Sequence, residues 1–170
     1  KGQYEIAKQI VKEMYILDHH VTNEKEYKDK PNTIFDMNLS GVGLAWNFFF
    51  PEKPLPVYLK MIQERDLWKF ETSNTKEFTN GLYYCAGEKL SSYCDVMKKI
   101  ELDESYMNTI IDLGILIEQH KQSKISNIVD NTKKVYNYNG FKCAIVNCDY
   151  DIASDLGSAL MNTNNYDFAV

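Results

Sequence analysis

The stretch MYILDHH, at residues 14–20, decides how this chain is interpreted. Four apolar residues lead directly into an acid and two adjacent histidines, a pattern that fits a buried strand of a parallel sheet. Ligands of open α/β sheets bind beyond the carboxyl ends of such strands, which places Asp18, His19 and His20 where a site is expected. Imidazole suits transition-metal ligation and proton transfer near neutral pH. On these three residues alone, a solvated polar loop is an equally good interpretation.

Composition argues against several classes of protein. The chain has 170 residues, enough to bury a core, and its 13% aromatic content argues against disorder. A net charge of -5 argues against a general nucleic-acid coat, which would present a basic surface, but it allows a small phosphorylated substrate. With no apolar run of membrane-spanning length and no secretory signal, we expect a cytoplasmic protein without membrane association. Free thiols are expected at the four cysteines, Cys85, Cys94, Cys143 and Cys148, which lack zinc-site spacing.

A second informative stretch puts a carboxylate on an apolar helical face. Leu55, Leu59 and Ile62 recur at helical spacing, and Asp66 is the next residue on that face. A carboxylate in such a position needs a cation, a metal ion or hydrogen bonds. A frayed helix end with Asp66 in water is the alternative. Arg65 beside it could contact phosphate or form a surface salt bridge.

Other candidate residues have a structural interpretation beside a functional one. Ser40 and Gly41 precede an apolar run at residues 44–50, and Ser40 is expected to cap a buried helix whose N-terminus could also bind an anion. Trp68 and Phe70 are expected in the core rather than against a nucleobase.

The remaining pattern alternates helices and short strands. Asn139-Gly140 is the strongest signal for a hairpin turn. Asp151 is expected to cap the last helix, Lys121 to be solvated, His120 to be exposed, and residues 21–33 to form a loop. Helices are expected over residues 3–13, 44–50, 56–66, 73–85, 91–102, 103–131 and 151–160, and strands over 14–17, 34–36, 134–138, 141–148 and 166–170.

Three stretches together resemble a known family. ILDHH at residues 16–20 resembles the signature of the DHH phosphoesterases. FDMNLSG at 35–41 and ERDLWKF at 64–70 resemble two later segments of that family, the second with a metal-binding aspartate. The match covers nearly the whole chain and is most similar to the branch of oligoribonuclease and cyclic-nucleotide phosphodiesterase homologues. It implies an α/β fold, with part of a parallel-sheet DHH catalytic domain over residues 1–102, a long linker helix over 103–131, and the start of a smaller α/β associated domain over 132–170.

The resemblance also implies a function. The family hydrolyses phosphate esters at a two-manganese site, with magnesium as an alternative ion, so the expected activity is phosphodiester hydrolysis of short oligonucleotides or nucleotides. His19 and Asp66 would bind one ion and should converge, although 47 positions separate them. Asp18 would orient His19 or a neighbouring group, and His20 would contact phosphate or assist proton transfer, so both are candidate catalytic residues. The candidate substrate-binding residues are Arg65, Ser40 and Gly41, and a homodimer is compatible with the family.

The sequence departs from the family in two places. The family's site uses further aspartates upstream of Asp-His-His, whereas the acids of residues 1–17 are Glu5 and Glu13, in unlike contexts. The family's glycine-rich segment ending in histidine has no counterpart in residues 132–170. We therefore expect a fragment of a phosphoesterase that is not efficient alone. A nucleotide bisphosphate phosphatase, a pyrophosphatase and a degenerate, non-catalytic binding module are the alternative hypotheses.

Overall fold

The protein is a mixed α/β chain in which helices predominate and the sheets are small. A computed structural model describes residues 3–131, 133–163 and 165–170. Two compact units are present, Lys1–Ile111 and Asp112–Val170, and each has its own hydrophobic core. The expected α/β class is therefore confirmed.

The first unit places two short parallel strands beside a set of helices. Strand β1 (Ile16–Asp18) pairs with β2 (Thr33–Phe35), so that Asp18 lies opposite Phe35. A sheet of only two strands is at best marginally stable by itself in water. The β1–β2 pair therefore depends on the helices around it. The helices are α1 (Gln3–Ile10), α2 (Val21–Tyr27), α3 (Gly41–Phe49), α4 (Val57–Asp66), α5 (Thr75–Ala86) and α6 (Leu90–Leu102), followed by α7 (Ser105–Asn131), which begins in this unit and ends in the second.

Two expectations for the region after β1 are wrong. Residues 21–33 are not simply a loop, because helix α2 starts directly after His20. None of the residues of α2 is buried, so hydrophobic periodicity could not reveal it. The helix expected over 44–50 starts earlier, at Gly41, because the Ser40 hydroxyl accepts a hydrogen bond from the Gly43 amide at 3.5 Å.

The core of the first unit lies between α4, α5, α6 and the start of α7. Phe78 and Leu82 of α5 are fully buried, and such side chains contribute roughly 1.5–3 kcal/mol each. Between them, Gly81 lies so near the backbone of α7 that a Cβ there would collide with the carbonyl oxygen of Ile110. The glycine therefore permits close contact of the two helices. The buried cluster consists of Tyr58, Met61, Phe78, Leu82, Val96, Ile100, Ile110 and Ile111.

Helix α4 buries a different face from the one that its apolar stripe predicted. The buried residues of α4 are Tyr58, Met61 and Glu64. Leu59 and Ile62 pack only at the edge of the cluster. The expected face and the observed face are adjacent on the helix. Apolar spacing alone could not determine which of the two packs against the core.

The second unit is a three-stranded sheet packed against helices. Strands β3 (Lys134–Tyr138) and β4 (Phe141–Ile145) are antiparallel, and β5 (Phe168–Ala169) pairs with β4 in parallel. The predicted hairpin is confirmed: Asn139 and Gly140 both have positive φ, 49° and 85°, as a type I′ turn requires. A 3₁₀ turn (Tyr150–Ile152) leads into α8 (Ala153–Met161). The core consists of Ile125, Ala144, Ile152, Leu156 and Leu160.

Some polar residues of the second unit differ from expectation. Lys121, expected in solvent, is buried and pairs with the buried Asp155 at 3.2 Å, because both side chains face the core side of their helices. Asp151 does not cap α8, because it lies within the 3₁₀ turn and Ile152 holds the cap position. His120 is exposed, and the four cysteines are free thiols, as expected.

Candidate functional site

The end of β1 fixes the carboxylate of Asp18. Its Oδ1 accepts hydrogen bonds from the backbone amides of His19, at 2.7 Å, and His20, at 3.2 Å. Its Oδ2 accepts one from the Asn23 side chain at 2.6 Å. Burial alone would raise the pKa of Asp18, but the bonds from Asn23 and from the ring and backbone of His20 outweigh it and lower the pKa to about 2. The group is therefore an anchored carboxylate throughout the physiological pH range.

The ring of His20 is held by that same carboxylate. Nδ1 of His20 lies 2.7 Å from Oδ1 of Asp18, while 62% of the side chain is exposed. An ionised carboxylate only accepts hydrogen bonds, so Nδ1 carries the proton. In the neutral ring, Nε2 then presents its lone pair to solvent, which is the state that a proton acceptor needs.

His19 turns toward a different partner. Its Nε2 lies 3.4 Å from Oδ2 of Asp66, at the last residue of α4. The predicted convergence of these two residues is confirmed. The side chain of His19 is 16% exposed and that of Asp66 is 49% exposed, so the pair lies at the edge of solvent. Nδ1 of His19 is buried and has no hydrogen-bond partner among the described residues.

The spacing between these two atoms can be compared with the demands of a metal ion. Divalent ions hold nitrogen and oxygen ligands at about 2.0–2.2 Å, so two ligands of one ion lie roughly 3.0–3.6 Å apart. The 3.4 Å separation of His19 Nε2 and Asp66 Oδ2 falls in that range. Ligand atoms of Asp18, His19 and His20 also lie within 4.8 Å of one another. Asp18, however, already accepts several hydrogen bonds, so it is better suited to orienting neighbours than to ligation.

The other predicted residues lie in different surroundings. Ser40 is only 1% exposed, its hydroxyl caps α3, and its amide donates to Oε1 of Gln63 at 3.1 Å. Gly41 is the first residue of that helix. The guanidinium of Arg65 lies over the ring of Trp68, with Cζ 4.6 Å from the ring centroid. No described hydrogen bond or ion pair joins Ser40 or Gly41 to the His19 and Asp66 pair.

The sequence patterns did not identify Glu64 as a buried acid close to the site. Glu64, two residues before Asp66, is 3% exposed and accepts hydrogen bonds from the Thr72 amide at 2.8 Å and the Thr72 hydroxyl at 2.6 Å. The Thr75 hydroxyl donates to it at 2.9 Å. Burial acts to raise the pKa of Glu64, but these bonds and the charge of Lys60 lower it below its usual value. The two threonines were the available signal, but their approach to Glu64 depends on how the chain turns after α4.

Comparison with known proteins finds a viral relative. The chain is 32% identical over 150 residues to a protein of Acanthamoeba polyphaga mimivirus described as "Uncharacterized protein R106". The alignment covers 86% of this chain and 34% of that protein, so the chain spans about one third of its relative's length. No protein-family model and no solved structure matches the chain. Within the described residues, no helix combines the length and apolar character that crossing a membrane requires.

Proposed function

We propose that this chain carries part of the active site of a DHH-type, metal-dependent phosphoesterase that hydrolyses phosphodiester bonds in short oligonucleotides or nucleotides. The observation that supports this most is the approach of His19 Nε2 to Asp66 Oδ2, at 3.4 Å. An imidazole from a strand end and a carboxylate from a helix end meet there, and both are ligand types used by divalent metals.

The pair His19 and Asp66 would hold the ion, with manganese as the expected metal and magnesium as the alternative. Nε2 of His19 would bind the ion, and Nδ1, the other ring nitrogen, is buried without a hydrogen-bond partner among the described residues. A ligand histidine normally donates from that second nitrogen, so the proposed site also requires an acceptor for Nδ1. The family's additional aspartates would supply the other ligands. When bound, such an ion lowers the pKa of water and neutralises charge on the phosphoryl oxygens.

The proposed proton-transfer group is His20. Its exposed Nε2 can take a proton from an attacking water or return one to a departing oxygen. Asp18 holds Nδ1 protonated and fixes the ring plane, so that Nε2 keeps one direction. The two adjacent histidines therefore have different tasks: His19 faces Asp66, and His20 faces solvent.

The arrangement of elements is compatible with the DHH layout. Strand β1, which pairs in parallel with β2, ends at Asp18 of the DHH motif, and α3 follows β2 with Ser40 at its cap. Helix α7 has 27 residues and continues from the first compact unit into the second, as a linker helix would. We propose that the second unit is the beginning of the associated domain.

A panel of phosphate compounds tests the proposal. The protein that contains this chain is incubated with manganese and a dinucleotide, a nucleoside bisphosphate or pyrophosphate, and released products are measured. We expect the dinucleotide to be cleaved fastest. Preference for the bisphosphate or pyrophosphate would support the phosphatase alternatives instead. Absence of cleavage with all three would favour a non-catalytic binding module and refute the proposal.

A further inference from the structure

The segment that follows α4, residues 67–74, has an unusual backbone, and we call it the aromatic loop. Trp68, Phe70 and Asn74 all have positive φ, at 58°, 50° and 62°. Asparagine tolerates the left-handed backbone conformation. A bulky aromatic residue rarely adopts this conformation, because it costs free energy. Such strain persists only where the surroundings enforce it, and it occurs most often at functional sites.

Glu64 enforces the shape of the aromatic loop. Its buried carboxylate binds the amide and hydroxyl of Thr72 and the hydroxyl of Thr75. Its backbone carbonyl also accepts the amide of Lys69 at 2.9 Å. The loop is therefore fastened to α4 on both sides of Phe70, and the two aromatic residues are held in place before any ligand arrives.

The two rings and two cations of this region form a compact group. The centroids of Trp68 and Phe70 are 5.1 Å apart in an edge-to-face arrangement. The guanidinium of Arg65 lies 4.6 Å from the Trp68 centroid, and Nζ of Lys76 lies 5.0 Å from the Phe70 centroid. These are cation–π distances. Arg65 and Lys76 thus place two positive charges against the rings, while Asp66 and Glu71 lie beside them in the sequence.

Core packing does not explain the backbone strain at Trp68, although Phe70 is half-buried. Trp68 keeps 38% of its surface exposed, contrary to the expectation that it lies in the core. The strained backbone is therefore not offset by complete burial of the indole. An exposed, immobilised aromatic ring next to fixed cations is instead the arrangement by which proteins bind single-stranded nucleic acid, with stacking for bases and charge for phosphates.

We propose that the aromatic loop binds a nucleobase of single-stranded nucleic acid, which stacks on Trp68, the ring supported edge-to-face by Phe70, while Arg65 and Lys76 contact an adjacent phosphate. Asp66, the candidate metal ligand, follows Arg65 directly at the end of α4, so a strand bound at the aromatic loop can extend to the site of the proposed function. The choice of an oligonucleotide as substrate rests on that function, but stacking itself requires no metal.

Fluorescence of Trp68 tests the inference directly. The chain contains two tryptophans, so Trp46→Phe in the full 170-residue chain leaves Trp68 as the sole tryptophan. A short oligodeoxythymidylate is titrated in EDTA, beside an abasic oligomer of equal length and charge. We expect quenching by the base-bearing strand and binding that is at least about 10-fold tighter than that of the abasic strand. Equal affinities, or binding without a change in Trp68 fluorescence, would overturn the inference.

Variants separate this inference from the proposed function. In the natural background, Trp68→Leu should weaken binding of a labelled oligonucleotide by about 10-fold, whereas Phe49→Leu, at another exposed aromatic residue, should leave it unchanged. His19→Ala should keep binding in EDTA, because stacking requires no metal. A natural protein that binds the base-bearing strand but hydrolyses nothing with manganese would refute only the metal site. Hydrolysis with an unquenched Trp68 would refute only the aromatic loop. If Trp68→Leu does not fold, the fluorescence titration decides alone.

Discussion

Oδ1 of Asp18 lies 2.7 Å from Nδ1 of His20, so a single carboxylate at the end of β1 determines the direction of the exposed imidazole. The adjacent ring of His19, with its centroid 4.3 Å away, is directed to Asp66 instead. Two neighbouring histidines thus have separate partners. The proposed function therefore predicts different kinetic results for substitutions of His19 and of His20.

The first prediction concerns His20→Ala in the protein that contains this chain. Turnover of a dinucleotide should fall by about 10²- to 10⁴-fold, the usual contribution of a positioned acid or base, while manganese affinity changes little. Steady-state kinetics at several manganese concentrations make the measurement. His120→Ala is the matched control, because His120 is exposed on α7 and should have no effect. Full restoration of His20→Ala by excess manganese would show that His20 is a ligand and that its assigned role is wrong.

The second prediction concerns the pair of proposed metal ligands. His19→Ala and Asp66→Ala should each nearly abolish manganese-dependent hydrolysis, because each removes a proposed ligand of the same ion. Calorimetric titration with manganese should show weaker binding for both variants, on the order of 10-fold or more, compared with His120→Ala. Normal activity of His19→Ala would require the metal site to be placed elsewhere.

The sequence allowed prediction of the parts that depend on local pattern. A strand at the DHH stretch, a serine cap before an apolar helix, and a turn at Asn139-Gly140 were each confirmed. The expected burial was wrong for two of them, because β1 begins at Ile16 and is only half-buried, and α3 leaves Phe49 exposed. The approach of His19 to Asp66 followed from the strand-end position and from the resemblance to a family. The local signals were sufficient in these places because the fold agrees with them.

Long-range geometry accounts for what could not be predicted. The sequence around Glu64 is that of an ordinary helix residue. Its burial depends on Thr72 and Thr75, which donate hydrogen bonds to its carboxylate after the chain turns. The positive φ of Trp68 has no sequence signal, since a bulky aromatic residue is disfavoured there. The burial of Lys121 depends on Asp155, which lies 34 positions later in the chain.

A third prediction tests the contact between α5 and α7. Gly81→Ala should lower the free energy of unfolding by about 1–3 kcal/mol, because the new Cβ forces α5 away from the carbonyl of Ile110. Gly157→Ala is the matched control in a helix interior with no atom near its Cβ position, and it should raise stability by roughly 0.5–1 kcal/mol. Urea denaturation followed by circular dichroism measures both. Equal effects of the two substitutions would contradict the close approach.

A fourth prediction concerns the hairpin of the second unit. Gly140→Val should destabilise it by roughly 1–2 kcal/mol, because φ of 85° at this position is strained for any residue with a side chain. Asn139→Gly, at the other turn position, should change stability little, since glycine adopts positive φ without cost in sterics. Thermal denaturation compares the two variants, and an unchanged transition in Gly140→Val would count against the turn.

The last prediction concerns the pH dependence of stability through Tyr58. Burial, together with the hydrogen bond and charge of Glu101, raises the pKa of the Tyr58 phenol to about 12. The folded pKa lies above the unfolded value of about 10, so the contribution to stability is fully present below pH 10 and is lost as pH rises toward 12. At pH 11 the unfolded phenol is mostly ionised and the folded one is not, which corresponds to a loss on the order of 1 kcal/mol.

Comparison with Tyr58→Phe isolates that effect. The variant lacks the titrating hydroxyl but keeps the ring, and every other tyrosine and lysine titrates in both proteins. We therefore expect the free energy of unfolding to fall by about 1 kcal/mol more in the natural protein than in Tyr58→Phe between pH 8 and pH 11, as measured by urea denaturation. Parallel pH profiles for the two proteins would show that Tyr58 is not held neutral by its burial beside Glu101.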